Sequence, residues 1–199
     1  MIDSSSWTAY FQHFGQFFNG FLFTIAIALG SFALAMLLGI LFGTLSTSKH
    51  GSLRILSRIF VEFYQNTPLL VQFVIVFYGL ALLSNHTIMI PIYWTAVLCV
   101  GLYHGAYIAE VIRSGIQSIP RGQLEAALSQ GFTYANAMRL IILPQAFRII
   151  LPPLTNQVVN LIKNTSTVAI ISGVDLMFVT KSWSALNGNY VPAFLGAAF

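Results

Sequence analysis

An all-α integral membrane fold is what this sequence predicts, and three observations carry that expectation: apolar content, the segregation of charge, and the length of the apolar runs. Of the 199 residues, 57% are hydrophobic and only 7% charged, against roughly 25% charged in a soluble domain. No Asp, Glu, Lys or Arg occurs between Ser4 and Ser48, or between Phe63 and Ala109. A soluble chain of this size cannot cover its surface with so few charges.

A hydrocarbon layer of about 30 Å needs about 20 apolar residues in helix. Residues 21–45 meet that without interruption and form the first expected span. Residues 60–83 and 92–112 form the second and third, each with an acid near one end, Glu62 and Glu110. Residues 149–172 form the fourth, although they carry Pro152, Pro153 and Lys163. Residues 190–199 begin like a fifth and stop after about half a crossing. A truncated helix is the expectation there, in preference to an end resting at the interface. The N-terminal Met1-Ile2-Asp3-Ser4-Ser5-Ser6 has no basic region of the kind that starts a cleaved signal peptide. No repeat or linker divides the chain, so residues 1–199 read as one membrane domain of about five helices, the last incomplete.

Basic residues set the orientation. Lys49, Arg54 and Arg58 fall between spans one and two; Arg113, Arg121, Arg139 and Arg148 fall between spans three and four. Only Lys163 and Lys181 lie elsewhere, so both of those loops are expected on the cytoplasmic side and the N-terminus outside. The aromatic lead-in Trp7-Thr8-Ala9-Tyr10-Phe11 then belongs at the outer interface, where amphipathic rings accumulate.

Several chemistries are disfavoured. One cysteine, Cys99, forms neither an internal disulfide nor a Cys-rich metal site. His13, His50, His86 and His104 fall in separate segments without ligand spacing, so no metal is expected. The net charge of +4 is too scattered for nucleic acid. No nucleophile elbow and no phosphate-binding Gly-x4-Gly-Lys-Ser/Thr loop occurs, so the chain is expected to bind neither ATP nor another cofactor itself.

Between spans three and four lies a polar stretch of helix formers. Ser118-Ile119-Pro120 is a helix-start signal, and Gly131 fits the stop of a helix over residues 123–130. Thr133 caps a second helix over 134–140, and Pro144 marks the passage toward span four. Taken alone, helix-Gly-helix also fits an amphipathic segment resting on the membrane. The full pattern is more specific: Glu125-Ala126-Ala127, then Gly131, then Ile141-x-Leu143-Pro144. It resembles the EAA loop of permease subunits in bacterial ATP-binding-cassette (ABC) importers.

Further segments carry the likeness, over roughly residues 20–177. Glu62-Phe63-Tyr64-Gln65-Asn66-Thr67-Pro68-Leu69-Leu70-Val71-Gln72 and Gly105-Ala106-Tyr107-Ile108-Ala109-Glu110 resemble the second- and third-span signatures of the polar-amino-acid uptake family. Leu143-Pro144-Gln145-Ala146-Phe147-Arg148 and Leu161-Ile162-Lys163-Asn164-Thr165-Ser166 match the segments after the loop. Gln65 departs from the basic residue common in the family, and the fifth span is incomplete. The resemblance implies a type I ABC importer transmembrane domain in the bacterial inner membrane, without a catalytic site of its own. It implies that Glu125, Ala126, Ala127, Gly131, Thr133 and Arg139 couple to a separate ATPase holding ATP and Mg. The other implied partners are a second permease, identical or homologous, a second ATPase subunit, and an extracytoplasmic binding protein.

Charges at membrane depth are functional candidates. Glu62 and Glu110 lie close in sequence to Arg58 and Arg113, and structural pairing among these four is favoured over substrate binding. Lys163, Asn164, Thr165 and Ser166 put four consecutive polar residues into an apolar helix. A break there would let backbone and side chains converge on a cavity. The resemblance makes this region part of the transport pathway, with Asn164, Thr165 and Ser166 ahead of Lys163; the alternative is contact with the second permease. Thr67-Pro68 and Gln72 form a weaker pathway cluster, beside a helix kink. Gly39-x3-Gly43 and Gly101-x3-Gly105 are close-packing patterns. An anionic or zwitterionic amino acid is favoured over a strongly cationic one. The rival to the importer reading is an ATP-independent carrier or channel relaying charge between Lys163 and Glu110.

Overall fold

The computed structural model describes residues 4–198, and helices account for nearly all of them. Met1, Ile2 and Asp3 of the N-terminal segment, and Phe199 of the fifth run, lie outside the described residues. In chain order the helices are α1 (Ser4–Gln12), α2 (Phe14–Ser46), α3 (Gly51–Asn66), α4 (Leu69–Val74), α5 (Leu80–Leu83), α6 (Ile92–Gln117), α7 (Arg121–Ser129), α8 (Tyr134–Ala137), α9 (Leu143–Asn164), α10 (Leu176–Asn187) and α11 (Tyr190–Ala198). Wider π-helical turns join α4 to α5 (Ile75–Gly79) and α8 to α9 (Met138–Ile142), and a 3₁₀ segment, Thr165–Ile171, follows α9.

Among the described residues, three uninterrupted helical runs are long and apolar enough to cross a membrane: Phe14–Ser46, Ile92–Gln117 and Tyr134–Ile171. The last begins well before the expected start of span four and passes straight through Pro144. Proline lacks an N–H and crowds the carbonyl four residues back, here Leu140. That carbonyl lies in the π-helical turn, whose bonds reach one residue further, so the ring is accommodated. The expected second span is not one straight helix. The pair Gly51–Asn66 and Leu69–Leu83 is bent by 97° at the break between them. Thr67 is extended there (φ −104°, ψ 121°), as the residue before a proline prefers to be.

The contacts divide the described chain into two compact units, each discontinuous in sequence. The first comprises residues up to Ser31, Leu69–Val100, and those from Leu161 on. Its core gathers Tyr10, Phe17, Val179, Trp183 and Ala193. Tyr10 is therefore a core residue, although an amphipathic ring near a terminus reads from sequence as an interface anchor; Phe11 beside it is exposed. Gly20 lies under α10, where an added Cβ would stand 3.0 Å from Val179 Cγ2 and 3.2 Å from the Leu176 Cα. The Leu176 N–H donates to Thr24 Oγ1 at 3.0 Å, and α4 packs on the 3₁₀ segment.

The second unit comprises Phe32–Pro68 and Gly101–Asn160. Its seam is the approach of α2 to α6, and the glycines of each helix receive large side chains of the other. Gly39 faces Ile108, and a Cβ on Gly43 would lie 2.8 Å from that of Ile112. In return, a Cβ on Gly101 would lie 2.7 Å from Leu34, and one on Gly105 3.1 Å from Leu38. Small residues at this spacing let helix backbones approach closely. Ile150 of α9 fills the space over Gly115. Helix α3 folds back on α2: Ser57 Oγ donates to the Phe42 carbonyl at 2.7 Å, and the Phe42 and Phe60 rings stack at 3.9 Å.

Candidate functional site

Helix α7 with the turn after it forms a self-contained device in the second unit. Pro120 stands at its N-cap with φ −56°, the angle that its ring presets. At the other end the Phe132 N–H donates to the Ala127 carbonyl at 3.1 Å, and the Gly131 N–H to that of Leu128 at 3.0 Å. Gly131 has φ +86°. This pair of bonds around a left-handed residue is a Schellman ending, which satisfies carbonyls that the helix leaves without partners. A side chain at Gly131 would meet nothing within 4 Å, so the glycine answers to backbone angle and not to space. Thr133 then caps α8, accepting from the Asn136 N–H at 3.3 Å.

Burial separates the faces of α7. Ala127 is buried and Leu124 half-buried, and this face packs on α8 and the π-helical turn. Glu125, Ala126 and Arg121 are exposed on the other side, as are Gly131, Thr133 and Arg139. Among the six residues implied in coupling, Ala127 alone faces inward. Its small size sets how closely α7 lies on its support, while its neighbours offer a polar, low-relief surface. Lys49 reaches this region from the α2–α3 connection, its Nζ 4.1 Å from the centroid of the Tyr134 ring.

A charged cleft of about 640 Å³ lies between α3 and the end of α6, within the same unit. Arg58 Nε donates to Glu62 Oε1 at 2.6 Å. Arg113 Nε donates to Glu110 Oε2 at 2.8 Å, with a second, parallel bond from Nη2 to Oε1. Arg113 Nη1 also donates to Gln117 Oε1 at 2.6 Å. The pairing runs along each helix rather than between them.

In the first unit, α9 gives way to the 3₁₀ segment immediately after Asn164. Thr165 is buried, and its Oγ1 donates to the Ile162 carbonyl at 2.7 Å; Ser166 is exposed, and its Oγ donates to that of Lys163 at 2.8 Å. The polar run thus tightens the helix without opening it. Lys163 is exposed and Asn164 half-buried. Gln72 is buried on α4, the helix that packs on the 3₁₀ segment. Thr67, in the second unit, turns its Oγ1 back to the Phe63 carbonyl at 2.8 Å.

One feature was not anticipated from sequence. The buried Asp175 caps α10, its carboxylate accepting from the Phe178 N–H at 3.1 Å and the Met177 N–H at 3.3 Å. Burial pushes its carboxyl above the ordinary value, against the opposite pull of those N–H groups and of Lys181. The signal was available as an Asp placed just before a short apolar helix. In α6, the buried His104 bonds to Gln157 of α9, and the Tyr103 and Tyr107 hydroxyls lie 3.2 Å apart. Among the described residues, no group of three or more His, Cys, Asp or Glu side chains is placed to hold a metal ion.

Comparison with known proteins places these features in context. The model of the family described as "Binding-protein-dependent transport system inner membrane component" matches residues 35–199. The chain is 38% identical over 168 residues to the probable glutamine ABC transporter permease protein GlnM of Bacillus subtilis, covering 84% of this chain and 76% of that one. It is 36% identical over 174 residues to the glutamate/aspartate import permease protein GltJ of Escherichia coli, covering 82% and 71%. Its fold is similar to a crystal structure of an amino acid ABC transporter with histidines, with a TM-score of 0.89 at 28% identity over 100% of this chain and 90% of that one. A structure of the MetNI methionine ABC transporter in an inward-facing conformation has the same fold at a TM-score of 0.64 and 14% identity, covering 92% of this chain and 86% of that one.

Proposed function

The chain belongs to the binding-protein-dependent inner-membrane transport components, as the permease subunit of an ABC importer, and from that premise we propose that it lines half of an amino-acid pathway and is driven through α7 by an ATPase on another chain. The observation that carries this reading is the α7 device: a short helix with an exposed polar face, ended by a glycine whose angle no other residue adopts freely. A permease without a phosphate-binding loop has to receive its energy by contact. A partner drives it only by binding one of its conformations more tightly than the other. Glu125, Ala126, Gly131, Thr133 and Arg139 form the receiving face, and Ala127 transmits its position to α8 and α9.

Two permeases, identical or homologous, enclose the pathway; two ATPase subunits holding ATP and Mg bind at the α7 loops; an extracytoplasmic binding protein delivers substrate to the opposite side. The α2–α3 connection and the α7 loop lie on the cytoplasmic side and the N-terminus outside, in keeping with seven of the nine basic residues falling at 46–59 and 113–148, between the expected spans. This chain binds no cofactor of its own. Asn164, Thr165, Ser166 and Lys163, with Gln72 and Thr67, line the pathway, while Arg58–Glu62 and Glu110–Arg113 are structural pairs. The substrate is an anionic or zwitterionic amino acid, a class in keeping with the glutamine and glutamate/aspartate relatives.

The test is substrate-stimulated ATP hydrolysis by the complex in liposomes, wild type against Gly131→Asp, with assembly checked by co-purification. Activity that requires the permease and collapses in the variant is the expected result. Transport that persists without the ATPase would replace this reading with an ATP-independent carrier.

A further inference from the structure

Helix α3 has three faces, of different chemistry. Ser57 is 1% exposed and ties one face to α2. Arg54, Arg58 and Glu62 line the cleft opposite Glu110 and Arg113. The third face points away from α2 and is apolar: Ile55, Ile59 and Phe63 are each about 60% exposed. Ile55 belongs both to this stripe and to the cleft wall, so a polar pocket continues directly into an apolar track.

We infer that the cleft binds the headgroup of a phospholipid carrying both a phosphate and an ammonium group, with its acyl chains on the stripe of Ile55, Ile59 and Phe63. The cleft lies beside the charged last turns of α6, where a spanning helix leaves hydrocarbon for the headgroup layer. Guanidinium groups suit phosphate oxygens, which they bind in a forked geometry. Glu62 and Glu110 stand among them as acceptors for the ammonium. A purely anionic headgroup would leave these carboxylates opposed. A soluble amino acid shares the headgroup's charges but has nothing to lay along the stripe. The occupant is therefore amphiphilic, as the helix is. It goes beyond the importer reading and does not depend on how α7 couples.

Native mass spectrometry of the permease–ATPase complex, supplemented in turn with palmitoyl-oleoyl phosphatidylethanolamine and phosphatidylglycerol, tests this directly. The ethanolamine lipid is expected to remain bound in preference to the glycerol lipid. Arg58→Gln and Ile59→Ser should each lower its retention about tenfold, as loss of one charged hydrogen bond or one apolar contact predicts. Glu62→Gln should reverse the lipid preference, a change that loss of structure alone would not give; it also serves if Arg58→Gln fails to assemble. Absence of retained lipid, preference for phosphatidylglycerol in the wild type, or equal retention by the variants would overturn the assignment. So would equally tight binding of free phosphorylethanolamine, which would make this a site for a soluble zwitterion, or cross-linking of Ile59 to a second permease.

Discussion

Gly39 and Gly131 belong to the same compact unit and occupy opposite environments. A Cβ added at Gly39 would overlap the Ile108 side chain, while the backbone angle there is ordinary. A Cβ added at Gly131 would meet nothing, while φ is +86°. The first glycine makes room for a neighbouring helix; the second turns the chain. The α2–α6 seam is specified by volume, and the α7 loop by backbone angle and surface chemistry. Damage to the seam should be a loss of structure, and damage to the loop a loss of communication.

Substitutions that fill the seam should have the largest effect. Gly39→Leu places a branched side chain where even a methyl group does not fit, and overpacking of this kind costs about 3 kcal/mol or more. A large fall in the denaturation midpoint in detergent is expected, with little monodisperse protein. A Gly39→Leu protein as stable as the wild type would show slack between α2 and α6 and end the contrast. Next comes Gly131→Ala, which forces a left-handed angle on a residue with a Cβ at about 1–2 kcal/mol. Stimulated ATP hydrolysis should drop sharply, while the denaturation midpoint falls far less than in Gly39→Leu. Gly131→Asn, better tolerated at such an angle, should recover most of the activity. Equal loss in both variants would mean that side-chain size, not backbone angle, matters at this position.

Smaller effects sharpen the picture at single caps. Thr133→Ala removes the α8 cap and should cost about 1 kcal/mol, visible as faster amide exchange over Tyr134–Ala137 and unchanged exchange in α6. Asp175 should give the smallest effect, and one of known sign. Its carboxyl titrates higher in the folded protein than its ordinary value of 3.8, so the folded state binds the proton more tightly. That contribution is complete below the ordinary value and fades as pH rises through the raised one. Unfolding followed over this range should show wild-type stability declining relative to Asp175→Asn, and parallel curves would remove Asp175 as the cause.

What could be read in advance follows the same division. The α7 loop was legible almost residue by residue, because proline before a helix, glycine after it and threonine before the next each act through local backbone chemistry. The seam glycines were legible as a pattern, although their partners Ile108, Ile112, Leu34 and Leu38 were not, since volume complementarity is invisible in one strand of sequence. The kink at Thr67-Pro68 was expected, yet its size was not: apolar residues on both sides hid the fact that α3 carries Arg54, Arg58 and Glu62 on one face only. Tyr10 was assigned to the interface because a half-polar ring suits interface and core alike. Helix α10 went unread, being too short for a crossing and too apolar for a loop.

The π-helical turn at Met138–Ile142 has one residue more than an α-helix of the same rise needs. It therefore works as a phase setter for everything downstream in its unit. Each residue of an α-helix advances the screw by about 100°. Removing a single residue from this turn would restore ordinary bonding and swing Ala146 and Ile150 around the axis, taking Ile150 away from Gly115. The register between the loop and α9 is thus held by one surplus residue, an angular adjustment that neither length nor hydrophobicity could encode.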